Sequence, residues 1–169
     1  MNKRALAVVV GIAVIVAGWA LFRPELLFID KTVNETFPSV AQAATAVQVP
    51  DDTIPLLAGN FHKGAHETRG TATILQLRGG KRVLRLTNFE TSNGPDVRIL
   101  LITATDASDN DTVKNSMPLE IAPLKGNIGD QNYDLPDDVD LSRYKAVTIW
   151  CHRFSVNFGT APLSPSSRS

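Results

Sequence analysis

The sequence holds one cysteine, Cys151, and three histidines, His62, His66 and His152. These are the residue types able to do thiol, proton-transfer or soft-metal chemistry. A thiol works as its thiolate, whether as nucleophile or as metal ligand, and a neighbouring imidazolium stabilises that form. Cys151 lies in the stretch Arg143 to Leu163, the longest run of strand formers in the second half of the chain. Val147, Ile149 and Cys151 fall on one face of an extended chain, and Ala146, Thr148 and Trp150 on the other. Phe154, Val156 and Phe158 are in step with Trp150. The heavily buried face therefore changes near Cys151, as a bulge or tight bend would make it do. Trp150 is expected to be buried, sharing a face with Phe154 and Phe158. Cys151 and His152 alternate, so on a regular strand they point oppositely and do not chelate one ion. His62 and His66 are four residues apart, but Gly64 between them argues against a helix that would align them.

Two readings of Cys151 follow from its type and setting. It is a small buried hydrophobe, or it is a redox thiol, a mixed-disulfide partner or a soft metal or haem ligand. His66, in the turn-like Lys63-Gly64-Ala65-His66, is a surface or hydrogen-bonding histidine, or else the partner of that thiol. A single cysteine excludes an intrachain disulfide, multi-cysteine zinc and iron–sulfur sites, and the C-x-x-C-H haem motif. The 17 basic and 17 acidic residues balance to zero formal charge. They are interspersed, so there is no basic footprint for nucleic acid. Asp106, Asp109 and Asp111 suggest calcium, but the glycine and the closing glutamate of that loop are missing. A solvated loop is expected there. Asp96 and Asp130 would contribute to a polar site if their loops converge.

The elements that must position these residues begin with a membrane signal. Lys3 and Arg4 precede an apolar run from Ala5 to Phe22, about 18 residues and near the lower limit for a spanning helix. Positive charge at the amino end predicts that end in the cytoplasm and the rest outside it, periplasmic or extracellular. Residues 1–23 thus read as an uncleaved membrane anchor, with a cleaved secretory signal as the alternative. Residues 24–57 read as a juxtamembrane segment and tether. Leu26, Ile29, Val33 and Phe37 have helical spacing, which predicts a short amphipathic helix over Glu25 to Phe37. Ser39 to Pro55 reads as a flexible linker.

From residue 58 to 163 the pattern is short strands and turns. Strands are expected at Leu57 to Phe61, Thr71 to Leu77, Arg82 to Phe89, Val97 to Thr103 and Leu119 to Leu124. Further strands are expected at Asp130 to Leu135, Ala146 to Cys151 and Val156 to Ala161. Gly79-Gly80 marks a hairpin, and Val97 to Thr103, apolar on both faces, a central strand. No helix is expected in the domain, and residues 164–169 read as a disordered tail. The fold class is all-β, an antiparallel β-sandwich or barrel.

Gly59-Asn60-Phe61, His66, Gly70-Thr71-Ala72, Asn88-Phe89 and Asn93-Gly94-Pro95-Asp96 form the first half of a pattern. Leu124-Lys125-Gly126, Gly129 to Tyr133, Leu135-Pro136, Ile149-Trp150-Cys151 and Phe158 to Ala161 form the second. Their order and spacing resemble the DM-thirteen domain family, an extracytoplasmic β-rich module often found beside DOMON domains. The resemblance covers Ala58 to Leu163, here in a membrane-anchored single-domain form. It implies an electron-transfer or redox role, with Cys151 at the family's cysteine position and His66 at its early histidine. An envelope redox protein is the partner so implied. The alternative is a noncatalytic binding or structural module of the cell envelope with an inert thiol.

Overall fold

The computed structural model describes residues 2–22, 29–37 and 53–166. The apolar run forms α1 (Lys3–Phe22), a helix long and apolar enough to cross a membrane, as a signal sequence can also be. The rest is mostly β. The strands are β1 (Ile54–Asn60), β2 (His62–Lys63), β3 (Arg69–Gln76), β4 (Arg82–Glu90) and β5 (Val97–Ile102). They continue as β6 (Leu119–Pro123), β7 (Ile128–Leu135), β8 (Ala146–Cys151), β9 (Val156–Pro162) and β10 (Ser164–Pro165). Two five-stranded antiparallel sheets result, ordered β10-β1-β3-β4-β7 and β2-β9-β8-β5-β6. The chain is an antiparallel sandwich. Alternation drives it: Ala72, Ile74, Leu84 and Leu86 of one sheet face Ile99, Leu101, Val147, Ile149 and Cys151 of the other across a single core.

β8 is buried on both faces, since a second cluster forms on its outer side. Leu100, Ile102, Ala146 and Trp150 meet Ala107 and Val113 there. Val113 comes from α2 (Asn110–Asn115), a helix inside the stretch that the sequence reads as a solvated loop. The calcium-like aspartates have local structural roles here. Asp109 caps α2 by accepting from the Thr112 amide at 2.7 Å, and Asp106 bonds His62 at 2.6 Å. An Asp- and Asn-rich loop was expected to stay in water, but the apolar outer face of a central strand needs a cover. Ser164–Pro165, expected in a disordered tail, pairs with Leu57 and Ala58 of β1. The open edge of β1 offers unpaired amides, which outweigh the polar composition of that segment.

The amphipathic helix expected over Glu25 to Phe37 is not formed in its described part, residues 29–37. This segment is extended and lies along the free edge of β7. Thr32 bridges Ile128 in parallel. The Val33 and Glu35 amides donate to the carbonyls of Ile128 and Asp130, each at 2.9 Å. Val33, Glu35 and Phe37 are the half-buried residues, a spacing of two. Ile29, Val33 and Phe37 fit both periods, and docking on an exposed sheet edge decides for the extended one. Gly129 at φ +101° admits the strap, because a Cβ there would meet the Val33 carbonyl at 2.2 Å. The linker expected from Ser39 to Pro55 lies outside the described residues except for its end, where Ile54 and Pro55 already belong to β1.

Glu35 fastens the strap through Lys125 Nζ at 2.7 Å and the Asn132 amide at 2.7 Å. Burial works against its charge, but those bonds and the charges of Lys125 and Arg85 outweigh it, and its pKa is lowered. A depressed carboxylate stabilises the fold above its unfolded pKa of about 4.3, and this contribution is lost as pH falls through the folded value. The urea midpoint is therefore expected to drop with acid below about pH 5. Glu35→Gln should show a shallower drop; identical pH profiles for the two proteins would contradict the role given to this carboxylate.

Candidate functional site at the Cys151 end of the sandwich

Cys151 ends β8 on its core face, paired with Val97 of β5 and Val156 of β9. It is 0 % exposed and belongs to the main core cluster with Phe158 and Ile149. The expected change of face occurs, and its cause is a bulge on β9. Ile149 pairs with Gly159 while Trp150 pairs with Asn157, which leaves Phe158 as the extra residue. Phe158 thereby turns into the core on the Cys151 side. Trp150 is buried, as expected, but in the outer cluster, away from Phe158. Phe154, expected beside them, is 57 % exposed in the loop 152–155 of the β8–β9 hairpin. The bulge shifts β9 by one residue, and the hairpin loop carries Phe154 outside the sandwich.

His66 sits at the same end. Its imidazole packs on the Phe158 ring with centroids 4.1 Å apart, and its amide bonds the Phe158 carbonyl. Phe158 is thus common to the two residues. Among the described residues no hydrogen bond joins Cys151 to His66. His152 faces outward, with Nδ1 3.3 Å from Asp96 Oδ2, while its amide donates to the Asp96 carbonyl at 2.8 Å. Asp96 also accepts from Arg98 Nε at 2.7 Å. That bond, then the one from Arg98 to Glu120, raises the guanidinium pKa above its ordinary value. His62 belongs to a different place, against the loop that carries α2. Burial disfavours its charge, but Asp106 and the Lys63 carbonyl outweigh that and raise its pKa.

Beside Val97, the strand partner of Cys151, the loops form an open cleft of about 270 Å³. Gly94 to Val97 form one wall and Pro123 to Asn127 another, with Ile29 and Lys31 of the strap closing a third side. Gly94 is required by packing: a Cβ there would lie 2.7 Å from Val97 Cγ2 and 3.2 Å from the Phe158 ring. Gln131 and Tyr133 hold the second wall from beneath. Gln131, 0 % exposed, bonds both the amide and the carbonyl of Gly126. The Tyr133 hydroxyl accepts from the Lys125 amide at 2.9 Å and donates to Gln131 at 2.6 Å. Burial, reinforced by the charge of Glu35, pushes the Tyr133 phenol well above its ordinary pKa, against the Lys125 bond.

A model of the family described as Electron transfer DM13 matches residues 60–163, from the end of β1 to the end of β9. The chain belongs to the electron-transfer DM13 family. No curated protein and no solved structure matches it. In this DM13 domain the motif residues converge: Asn93 to Asp96 and Leu124 to Gly126, thirty residues apart in sequence, line one cleft. Asp130, however, is committed elsewhere, bonding Arg85 Nη2 at 2.5 Å and the Asn88 amide at 2.9 Å.

Among the described residues, no three His, Cys, Asp or Glu side chains converge on one point. Residues that the sequence reading missed tie the end together. Thr68 Oγ1 bonds Thr91 Oγ1 at 2.8 Å and donates to the Phe158 carbonyl at 3.1 Å. Asn127 bonds the Thr91 carbonyl and Asp30 of the strap. Buried threonines and a buried asparagine leave no periodic signature, because their role is set by partners from distant loops.

Proposed function

We propose that the chain is a membrane-tethered accessory domain of electron transfer, held outside the cytoplasm, that meets a redox partner with the Cys151 end of its sandwich. The DM13 match over residues 60–163 carries this reading, together with the convergence of two motif loops on the cleft beside Val97, the strand partner of Cys151. Cys151 is the reactive group and His66 its proton partner once the β8–β9 hairpin opens. In thiol–disulfide exchange, His66 takes the thiol proton and the Cys151 sulfur attacks a disulfide of the partner. One partner sulfur becomes bonded to Cys151 and the other leaves as a thiolate. With one cysteine in the sequence, the mixed disulfide persists until a second thiol, on a partner, resolves it.

A second reading rests on a specific observation. Cys151 is wholly buried among apolar side chains, as an inert packing residue would be. Alkylation of the domain by N-ethylmaleimide separates the two. Under the redox reading Cys151 is modified under native conditions faster than the protein unfolds globally, and His66→Ala slows the reaction. Modification only at the global unfolding rate, unchanged by His66→Ala, would remove Cys151 from the function and leave a binding module.

A further inference from the structure

The strap changes how the domain hangs from its helix. Residues 38–52 do not lie between α1 and the sandwich, because the chain has already docked on β7 at residues 29–37. Phe22 ends α1 and Ile29 begins the described strap, seven residues later. Such a span reaches at most about 25 Å. A 20-residue helix is about 30 Å long, the thickness of the bilayer core, so Phe22 lies near the lipid headgroups. The end of the sandwich where the strap begins is therefore kept within about 25 Å of the end of α1.

That end is the Cys151 end. Asp30 accepts from the Asn93 side chain at 2.9 Å, and the Asp96 carbonyl, three residues on, accepts from the His152 amide. The hairpin loop 152–155 follows directly, with Ser155 at φ +53° closing a tight tip. Phe154 projects from this tip, 57 % exposed, and Ile29 is 60 % exposed at the start of the strap. We infer that the β8–β9 hairpin tip, with Phe154 as its wedge, docks into the headgroup layer of the same membrane that α1 spans. A second copy or a soluble partner fits the tip less well, since the short span keeps lipid within reach of it; the redox partner that the proposed function places at this end is then one that itself lies at the membrane. The Phe154 ring is wholly apolar, and burying it at the boundary of headgroups and acyl chains removes its area from water. Phe154 and Ile29 supply the apolar part of the contact, and His152 and Arg153 flank Phe154 on the same exposed tip. Asp96 is already paired with Arg98 and His152, and Asp30 is taken up by Asn93 and Asn127. Zwitterionic lipid is enough.

The inference rests on the tethering part of the proposed function and not on Cys151 chemistry. The test uses the full chain in phosphatidylcholine proteoliposomes. In a Cys151→Ala background, Phe154→Cys, Met117→Cys and Val9→Cys each carry a nitroxide. Collision with oxygen, which concentrates in lipid, is compared with collision with a water-soluble nickel chelate. Met117 is 63 % exposed just before β6, whose far end pairs Leu119 with Leu101, so it serves as the aqueous reference. The position-154 label is expected to show several-fold less nickel collision than the position-117 label, with oxygen collision between those of positions 117 and 9. Equal nickel collision at 154 and 117, with position 9 in lipid, overturns the docking and leaves the tether standing. A position-9 label in water overturns the tether and the docking with it. A label-free measurement keeps Cys151: in a Trp19→Phe chain, Phe154→Trp should add emission that brominated phosphatidylcholine quenches. Unquenched added emission again overturns the docking.

Discussion

Replacing Phe158 by alanine is expected to destabilise the domain by about 3–5 kcal/mol, the range for a buried aromatic. The ring is 3 % exposed, packs on His66 and lies against Gly94. The backbone around it cannot collapse into the space, because β9 is already bulged there and the Asp96 turn is bonded to the hairpin loop. The measurement is the urea midpoint at constant m-value. Trp150→Ala belongs to the same range of about 3–5 kcal/mol, for it too is a core aromatic. The two differ in a second readout. Phe158 shares the core face of Cys151, whereas Trp150 faces the outer cluster. Alkylation of Cys151 under native conditions should therefore rise more for Phe158→Ala than for Trp150→Ala at matched stability. Equal acceleration would show that access to Cys151 follows global unfolding alone.

Asp130→Ala is expected to cost about 3 kcal/mol, at the lower end for breaking a buried ion pair because Asp130 is partly exposed. Its partner Arg85 has a side chain only 8 % exposed, packed under the Phe37 ring at 5.1 Å and bonded to Asn132. Removing the carboxylate strands that charge, and frees the Asn88 amide as well. Asn88 holds a positive φ of 50°, so its backbone depends on this bond to keep a sparsely populated conformation. Arg85→Met combined with Asp130→Leu should cost less than the sum of the single changes, since no charge is then left without a partner. Thermal unfolding of the four proteins closes the cycle, and strict additivity would mean that the two side chains are not coupled.

Family, fold class and strand positions were legible without coordinates. Ala146 to Cys151 is β8 residue for residue, since alternation in a β-branched run has one extended solution. The motif series from Gly59 to Ala161 pointed to the family that the DM13 match shows. The apolar run from Ala5 to Phe22 lies within α1. Turn chemistry at Gly79-Gly80 marked the β3–β4 hairpin, because both glycines adopt positive φ.

What only the tertiary structure decided has one physical source: partners far apart in sequence. The segment 29–37 fits a helix and a strand equally by spacing, and the free edge of β7 chose the strand. α2 exists because the outer face of β8 and β5 needed Val113 over it. Phe154 and Phe158 share a sequence period with Trp150, yet the hairpin loop carries Phe154 outside while a bulge in β9 turns Phe158 into the core, away from Trp150. The sequence by itself named Cys151 and His66, whereas the fold seated them at one end with Phe158 in common. It also put that end at the start of a strap seven residues from the apolar helix, because hydrogen bonds to an open sheet edge outweigh the local preference of a short amphipathic segment.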